Sequence, residues 1–571
     1  MIISTQIKKD LKRTIEKSLG FKLKKIHLEH PENSEHGDYT SNFALENFGE
    51  IKIKGIKNPL DLAQKIVDHF PNKKYLQKIK AVPPGFINFY LSDKFLVSQI
   101  NQIIKEKDGF GTSNLGKNTK VMVEFGQPNT HKLPHVGHFR SYVLGETIAR
   151  ILEFTGFEVC RVNYQGDVGL HVAKCLWGYK RKNIKESKDL TENIKNLQKA
   201  YIYGSKVYEE NEKDRKEIDE LNTKIYSQDK SVVDLWKKTR QWSLNYYALI
   251  HKRLGIVYRR EYFESETARA GKKIVLENVN KIFKKSKGAI IFPGEKYGLH
   301  NRVFITAAGN PTYEAKDLAL IFLKKTDFDY DFSLISTASE QIEYFKVVYN
   351  AAERIAPDLA KKFIHIPFGL VSLTEIRLSS RKGTIISIDE LLEKTKESLI
   401  ALMQRKNYNE EQIENIVETL TISATKYSIL KQMPIKNIAF NIKESIALEG
   451  NSGPYLQYTY ARACSILKKV KETFQDSDPL ILREKEELQI LKLLYCFPEI
   501  IEKAVQNYTP NLICNYLFKL AQNFNNFYET LPVLKVKDKN LKRARVVLIK
   551  TTAQVLKNGL KVLGIPALEK M

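Results

Sequence analysis

Apolar residues recur every three or four positions in the opening MIISTQIKKDLKRTIEKSLGF, which predicts a charged amphipathic helix over about the first 20 residues. A segment punctuated by Gly, Pro and Asn follows (HLEHPENSEHGDYTSNFAL), and then a second helical pattern around NPLDLAQKIVDHF. Period-two alternation in PPGFINFYLS, after a Pro-Pro-Gly turn, predicts a strand. Together these elements predict a small α+β module over residues 1–110. From residue 119 the pattern changes. KVMVEF reads as an apolar strand, YVLGETIARILEFTGF as a helix stopped by Gly156, and EVCRVNY as a second strand. Strand, helix and strand in that order predict a βαβ unit with a parallel pair and a right-handed crossover.

A Lys/Glu/Asp-rich helical surface from about 178 to 255 interrupts this domain, and the insertion as a whole is placed at about 178–290. Strand patterns resume in RVFITAAG, DFDYDFSLISTA and FIHIPFGLVSL, closing the domain at 395. Helical spacing then dominates to residue 571, as in DELLEKTKESLIALM and LIKTTAQVLKNGLKVL. No repeat of fixed period is present. The fold class expected is therefore multidomain α/β: a parallel-sheet domain over 118–395, between the small α+β domain and an all-α bundle over 396–571.

Length supports that division, since 571 residues exceed what one hydrophobic core serves. Charge adds a partner. A formal net charge of +26 points to a polyanion, nucleic acid first, although Lys-rich codon usage is an alternative source of the excess. The five cysteines, Cys160, Cys175, Cys464, Cys496 and Cys514, form no CxxC pair. That argues against a zinc ribbon or a disulfide scaffold and for a reducing cytoplasm. The N-terminus lacks an apolar core of signal-peptide length, and no run approaches bilayer-spanning length, so an intracellular, soluble protein with no membrane partner is expected. The stretch GTSNLGKN, Gly111 to Asn118, imitates a Walker A loop. It is one residue short and runs from helix to strand, so it reads as a linker.

The most informative stretch is VEFGQPNTHKLPHVGHFR, in which His135 and His138 flank Gly137 between a strand and a helix. A metal pair needs both His on one helical face with further ligands, and Pro134 and Gly137 oppose that. Two readings stay open: a structural turn with exposed imidazoles, and a phosphate site. In the second, a loop at the carboxyl end of a parallel strand delivers residues to a nucleotide crevice. Gly137 then lets the ligand approach the backbone, the following helix N-terminus faces it, and Lys132 adds charge. Far downstream, SSRKG supplies hydroxyls from Ser379 and Ser380 and cations from Arg381 and Lys382. In isolation it is an ordinary basic loop. With the HxGH turn before it, it could close over a triphosphate.

With PHVGH and LSSRKG standing for the HIGH and KMSKS elements, the sequence resembles a class I aminoacyl-tRNA synthetase. It is similar in particular to the arginyl-tRNA synthetase family. The resemblance continues at NYQGDVGLH, GNPTYEAKDLAL, SEQIEYFKVV, EGNSGPYLQYTYARACSIL and GLKVLGIPALEKM, and at the N-terminal HGDYTSNFAL and PPGFINFYLS. It runs nearly end to end, in family order.

The resemblance implies a Rossmann-like catalytic domain, an additional N-terminal domain that meets the tRNA elbow, and a C-terminal anticodon-binding bundle. It implies cytoplasmic ligation of L-arginine to arginine tRNA through arginyl-adenylate; the sequence is silent on oligomeric state, and a monomer is the default expectation. ATP arrives with Mg2+ carried by the nucleotide, and no metal is held by the protein. An arginine pocket would comprise Glu124, Asn129, Tyr313, Asp317 and Gln341. His135, Gly137, His138, Ser379 and Ser380 would hold ATP phosphates, with Phe368, Gly369 and Val371 framing the adenine. His135, His138, Lys132, Arg381 and Lys382 would be catalytic, Lys132 standing in for the KMSKS lysine that Arg381 displaces. Asn163, Asp167 and Gly169 would line the same cavity, or serve the fold alone. Tyr455, Tyr458, Arg462 and Met571 would contact the anticodon, with a helical core as the other reading for the tyrosines. Phe86, Asn88 and Phe89 would meet the tRNA elbow. The rival classes are another HxGH adenylyltransferase and a non-catalytic RNA-binding relative. Length and the helical C-terminus oppose the first; intact His135, His138 and Lys382 oppose the second.

Overall fold

The computed structural model describes residues 2–23, 25–51, 55–374, 386–403, 409–470 and 481–571. In the N-terminal domain, α1 (Ile3–Leu19) buries Ile3, Ile7, Leu11 and Ile15, one residue per turn, and stops at the left-handed Gly20. It packs with β1 (Tyr39–Ser41), α2 (Phe43–Asn47), α3 (Pro59–His69), β2 (Leu76–Val82) and β3 (Phe86–Leu91). Asn58 caps α3 and Pro59 opens its first turn. The sheet is antiparallel in the order β1-β3-β2, and α4 (Asp93–Glu106) leads out of it.

The central domain is built on a five-stranded parallel sheet, β11-β10-β4-β5-β6. Its elements run β4 (Lys120–Glu124), α5 (Val136–Phe154) and β5 (Glu158–Gln165), then α6 (Leu170–Arg181), α7 (Leu190–Glu210), α8 (Glu212–Tyr226) and α9 (Val233–Leu254). β6 (Arg260–Phe263) returns to the sheet beside β5, so the helical excursion ends at Leu254 and not near 290. After α10 (Glu264–Glu277), a side sheet forms from β7 (Lys284–Ser286), β8 (Ala289–Phe292) and β9 (Arg302–Ile305). RVFITAAG therefore belongs to that antiparallel sheet, not to the parallel one. Then come α11 (Tyr313–Asp327), β10 (Phe332–Ala338), α12 (Ile342–Ile355), α13 (Pro357–Ala360) and β11 (Phe363–Phe368).

This order fixes where a ligand can sit. The chain leaves β4 toward β5 and β6, then crosses back to place β10 and β11 on the other side. The loops after β4 and β10 therefore diverge, and a crevice opens at their carboxyl ends.

β12 (Val371–Leu373) pairs in parallel with β13 (Ile438–Phe440), joining the sheet's exit to the C-terminal helices. Those helices are α14 (Ile388–Met403), α15 (Glu410–Leu430), α16 (Ile442–Ser445), α17 (Gly453–Lys469), α18 (Lys485–Asn507), α19 (Asn511–Thr530) and α20 (Lys539–Val562). One apolar core runs from α5 into α15, α17, α19 and α20. The N-terminal domain docks on α18, where buried Glu499 accepts from Tyr39 Oη (2.5 Å), Ser4 N (3.2 Å) and pairs with His30 (3.2 Å). Among the described residues no helix is long and apolar enough to cross a membrane.

Candidate active site

The turn leaving β4 is held almost entirely by side chains. Gly126 N donates to Ser141 Oγ (2.8 Å) and Gln127 N to Asn163 Oδ1 (2.9 Å). Tyr247 Oη donates to the carbonyls of Asn129 (2.7 Å) and Lys132 (2.9 Å), and Leu133 N donates to Gln198 Oε1 (3.0 Å). His131, fully buried, bonds Thr239 Oγ1 (2.8 Å); burial, with Arg240 nearby, drives its pKa down to about 3, so it is a neutral strut. The helices α7 and α9 thus shape the loop that carries the candidate chemistry.

The two histidines of PHVGH cap the helix they open. His135 N donates to His138 Nδ1 (3.1 Å), and Gly137 N donates to His135 Nδ1 (3.0 Å). Both Nδ1 atoms are acceptors, which leaves the ring proton of each neutral imidazole on Nε2. Burial, reinforced by Lys132, pushes both imidazoles below their usual pKa, and His138 feels His135 as well. The pair therefore offers two neutral N–H donors at neutral pH. Gly137 is required for a reason the sequence did not indicate. A Cβ there would meet His135 Cε1 at 2.8 Å, so the glycine makes room for the folded-over ring.

Lys132 does not line the crevice. Its ammonium lies 4.2 Å from the ring centre of Tyr201 on α7. Ser379, Ser380, Arg381 and Lys382 fall outside the described residues. The segment after them is fixed beside the HxGH turn, with Val136 N donating to Ile386 O (3.1 Å) and Ile388 N to Pro134 O (3.0 Å).

The crevice at the switch point is a cavity of about 850 Å³. It brings together Glu124, Asn129, His135, Gly137, His138, Tyr313, Asp317, Gln341, Phe368, Gly369 and Val371, segments separated by up to 247 positions from Glu124 to Val371. One end is acidic. Glu124 is buried and paired with Lys324 of α11, and it also accepts from Gln127 Nε2 (3.2 Å). Burial draws the Lys324 ammonium down to about 7. Asp317, two turns before Lys324 on the same helix face, accepts from Tyr344 Oη at 2.5 Å. Burial raises Asp317 to about 7 against that hydroxyl's pull, with the Glu264 carboxylate adding to the rise. Glu264 is itself paired with the buried Lys316. Asn129 fits only because residue 166 is Gly, since a Cβ there would lie 2.2 Å from Asn129 Oδ1. Phe368, Gly369, Leu370 and Val371, which follow the edge strand β11, line the other end.

Three expected cavity residues serve the fold instead. Asn163 receives the Gln127 N–H, and Asp167 is fully buried against Arg240 Nε (2.7 Å), Ser265 N (2.8 Å) and Ser265 Oγ (2.7 Å). Gly169 caps α6 at φ 116°. None of the three lines the cavity. Conversely, Lys324, Glu264 and Tyr344 line the cavity without being among the expected residues. The seven-residue spacing of Asp317 and Lys324 was the available signal for the first.

A second cavity, about 660 Å³, opens in the helical domain and is lined by Tyr455, Tyr458, Arg462, Asn525 and Glu529, among others. Arg462 donates to Tyr458 Oη (3.0 Å) and Asn525 Oδ1 (2.8 Å), and Asn525 Nδ2 donates to Tyr455 Oη (3.0 Å). Both tyrosines are half-buried at its wall, and Tyr455 also packs on the edge of the main core. Met571 packs on the edge of the main core and does not line this cavity. In the N-terminal domain Phe89 is fully buried in the core, and Asn88, also buried, accepts from Thr40 Oγ1 (2.7 Å). The face of β3 that carries Ile87, Phe89 and Leu91 is in the core, whereas Phe86 and Tyr90 on the other face are half-buried. Among the described residues no cluster of three or more His, Cys, Asp or Glu is arranged to hold a metal.

Comparison with known proteins agrees with this layout. Residues 99–442 match the family described as tRNA synthetases class I (R), catalytic domain. Residues 4–91 match the arginyl tRNA synthetase N terminal domain, and 456–571 the DALR anticodon binding domain. The arginine–tRNA ligase of Fusobacterium nucleatum is 34% identical over 96% of both chains, and that of Borrelia hermsii 30% identical over 100% of both. The solved arginyl-tRNA synthetase of Thermus thermophilus has the same fold, with a TM-score of 0.83 at 24% identity over 99% of this chain and 100% of that one. From its N-terminal domain to its last helix, this chain belongs to the arginyl-tRNA synthetase family.

Proposed function

We infer that this chain ligates arginine to tRNA in two ATP-dependent steps, with the 850 Å³ cavity holding both substrates of the first. The observation that carries the reading is the convergence, in one crevice, of an acidic end and an imidazole-capped helix N-terminus. Glu124 and Asp317 receive the guanidinium in a carboxylate fork, with Tyr313 and Gln341 as walls, and Asn129 holds the α-amino end. The arginine carboxylate then attacks the α-phosphorus of ATP, the bond to the bridging oxygen breaks, and pyrophosphate leaves. No protein nucleophile takes part. His135 and His138 donate their Nε2 protons as hydrogen bonds to phosphoryl oxygens, where charge grows in the transition state. Their lowered pKa keeps them neutral donors that do not exchange a proton with the phosphate. Mg2+ accompanies the nucleotide.

Lys132 reaches the phosphates by leaving Tyr201, and Arg381 and Lys382 add positive charge for the departing pyrophosphate. In the second step the terminal ribose hydroxyl of the tRNA attacks the arginyl carbonyl and AMP departs. Tyr455, Tyr458 and Arg462 receive unstacked anticodon bases in the second cavity. The reading places the chain in the cytoplasm as a monomer, where ATP and tRNA are available. AMP formation assayed with each amino acid in turn plus bulk tRNA tests it. Turnover with arginine alone is expected; turnover independent of arginine overturns it.

A further inference from the structure

Arg140 lies on α5, two residues beyond His138, and its side chain is 1% exposed. Among the described residues no carboxylate pairs with it. Its partners are backbone carbonyls instead. Nη1 donates to Gly369 O (2.7 Å) and Leu370 O (3.3 Å), while Nη2 donates to Pro434 O (2.6 Å), Lys436 O (2.8 Å) and Met433 O (3.5 Å). Two chain segments meet around it, one following β11 and one preceding β13. They touch directly as well, since Gly369 N donates to Pro434 O (2.9 Å) and a Cβ on Gly369 would lie 2.5 Å from the Lys436 carbonyl.

Converging carbonyl dipoles repel one another, and a buried acceptor left without a donor is costly. A guanidinium resolves both difficulties, because its planar fork presents several donors with one delocalised charge. Burial lowers its pKa only to about 10, so the charge persists at neutral pH. The consequence is geometric. His135 and His138 cap the first turn of α5, Arg140 opens the second, and Gly369 and Leu370 form the far end of the cavity.

We propose that Arg140 is a positioning residue for ATP, fixing the distance between the imidazoles at the start of α5 and the Phe368–Val371 end of the cavity. This rests on the reading that the latter segment frames the adenine. Losing the clamp lets that segment drift from α5 while each side keeps its own groups. Binding of a ligand that spans both sides then weakens, and binding of a ligand that uses one side does not.

The test uses the full-length chain carrying Arg140→Lys or Arg140→Met, with KM measured for ATP and arginine in aminoacylation and for pyrophosphate in the reverse exchange. Lys keeps the charge and loses the fork, so Arg140→Lys should raise KM for ATP about tenfold, with arginine and pyrophosphate KM within about twofold. Arg140→Met should shift ATP further in the same direction; if it does not fold, Arg140→Lys decides alone. An unchanged ATP KM, or equal rises in all three, overturns the proposal. Val371→Trp separates it from the reading beneath it by filling the adenine end directly. If Val371→Trp leaves ATP KM unchanged, the adenine assignment fails and the proposal with it. If Val371→Trp raises ATP KM and Arg140→Lys does not, the role of Arg140 alone is refuted.

Discussion

Replacing Glu124 by Gln isolates one charge in the cavity at nearly constant volume. Glu124 lies at the end of β4 with its carboxylate shared between Lys324 and Gln127. The side chains of Glu124 and Lys324 are only 1% and 4% exposed, so water cannot replace what is removed. A hydrogen bond to a charged group contributes about 1.5–3 kcal/mol, and each 1.4 kcal/mol is tenfold, so loss of the Glu124 charge should raise KM for arginine by about 10- to 150-fold. Gln can still accept from Lys324, whose ammonium burial has already drawn down to about 7, so the pair can relax by losing its proton instead of unfolding. ATP binds at the other end of the cavity, and its KM should stay within about twofold. The assay is aminoacylation with arginine and ATP varied separately, beside a thermal melt of the variant. Equal rises in the two KM values, or an unchanged arginine KM, would refute the placement of the guanidinium at Glu124.

Three further outcomes are expected. Because Asp317 is raised to about 7 by burial, it is mostly protonated below that pH and ionised above it; KM for arginine should fall as pH rises from 6 to 8, and Asp317→Asn should flatten that profile. Lys132→Ala should lower the adenylation kcat by about 10- to 100-fold with a small change in ATP KM, and a pure rise in ATP KM would reject a transition-state role. Tyr455→Ala should raise KM for tRNA by about 5- to 150-fold, the range that loss of one base–aromatic stack implies, while KM for arginine and ATP, measured at saturating tRNA, stays level.

Much of the catalytic layout was legible because it rests on local pattern. KVMVEF, the HxGH turn and the helix after it lie within one strand-loop-helix unit, and the sheet places that unit at its switch point. The cavity partners were less legible. Glu124 and Lys324 are 200 positions apart, and Arg140 meets carbonyls 229 to 296 positions away; no local spacing encodes such contacts. Asp167 stayed between two readings because a Gly-flanked acid after a strand suits a ligand crevice and a buried Arg240 pair equally well. The burial of Phe89 and Asn88 was not legible, because β3 is the central strand of its sheet and its neighbours β1 and β2 and the helix α3 come from other stretches of the chain. The end of the helical insertion was missed because β6 is only four residues long and is recognisable mainly through its pairing with β5.

The central claim is that one crevice holds arginine and ATP end to end. A crystal structure of the full chain with a non-hydrolysable arginyl-adenylate analogue tests it most directly. The account predicts the guanidinium within hydrogen-bonding distance of Glu124 and Asp317, the phosphoryl mimic beside His135 and His138, and the adenine against Phe368–Val371. A guanidinium bound away from both carboxylates, or an adenine at the Glu124 end, would contradict it.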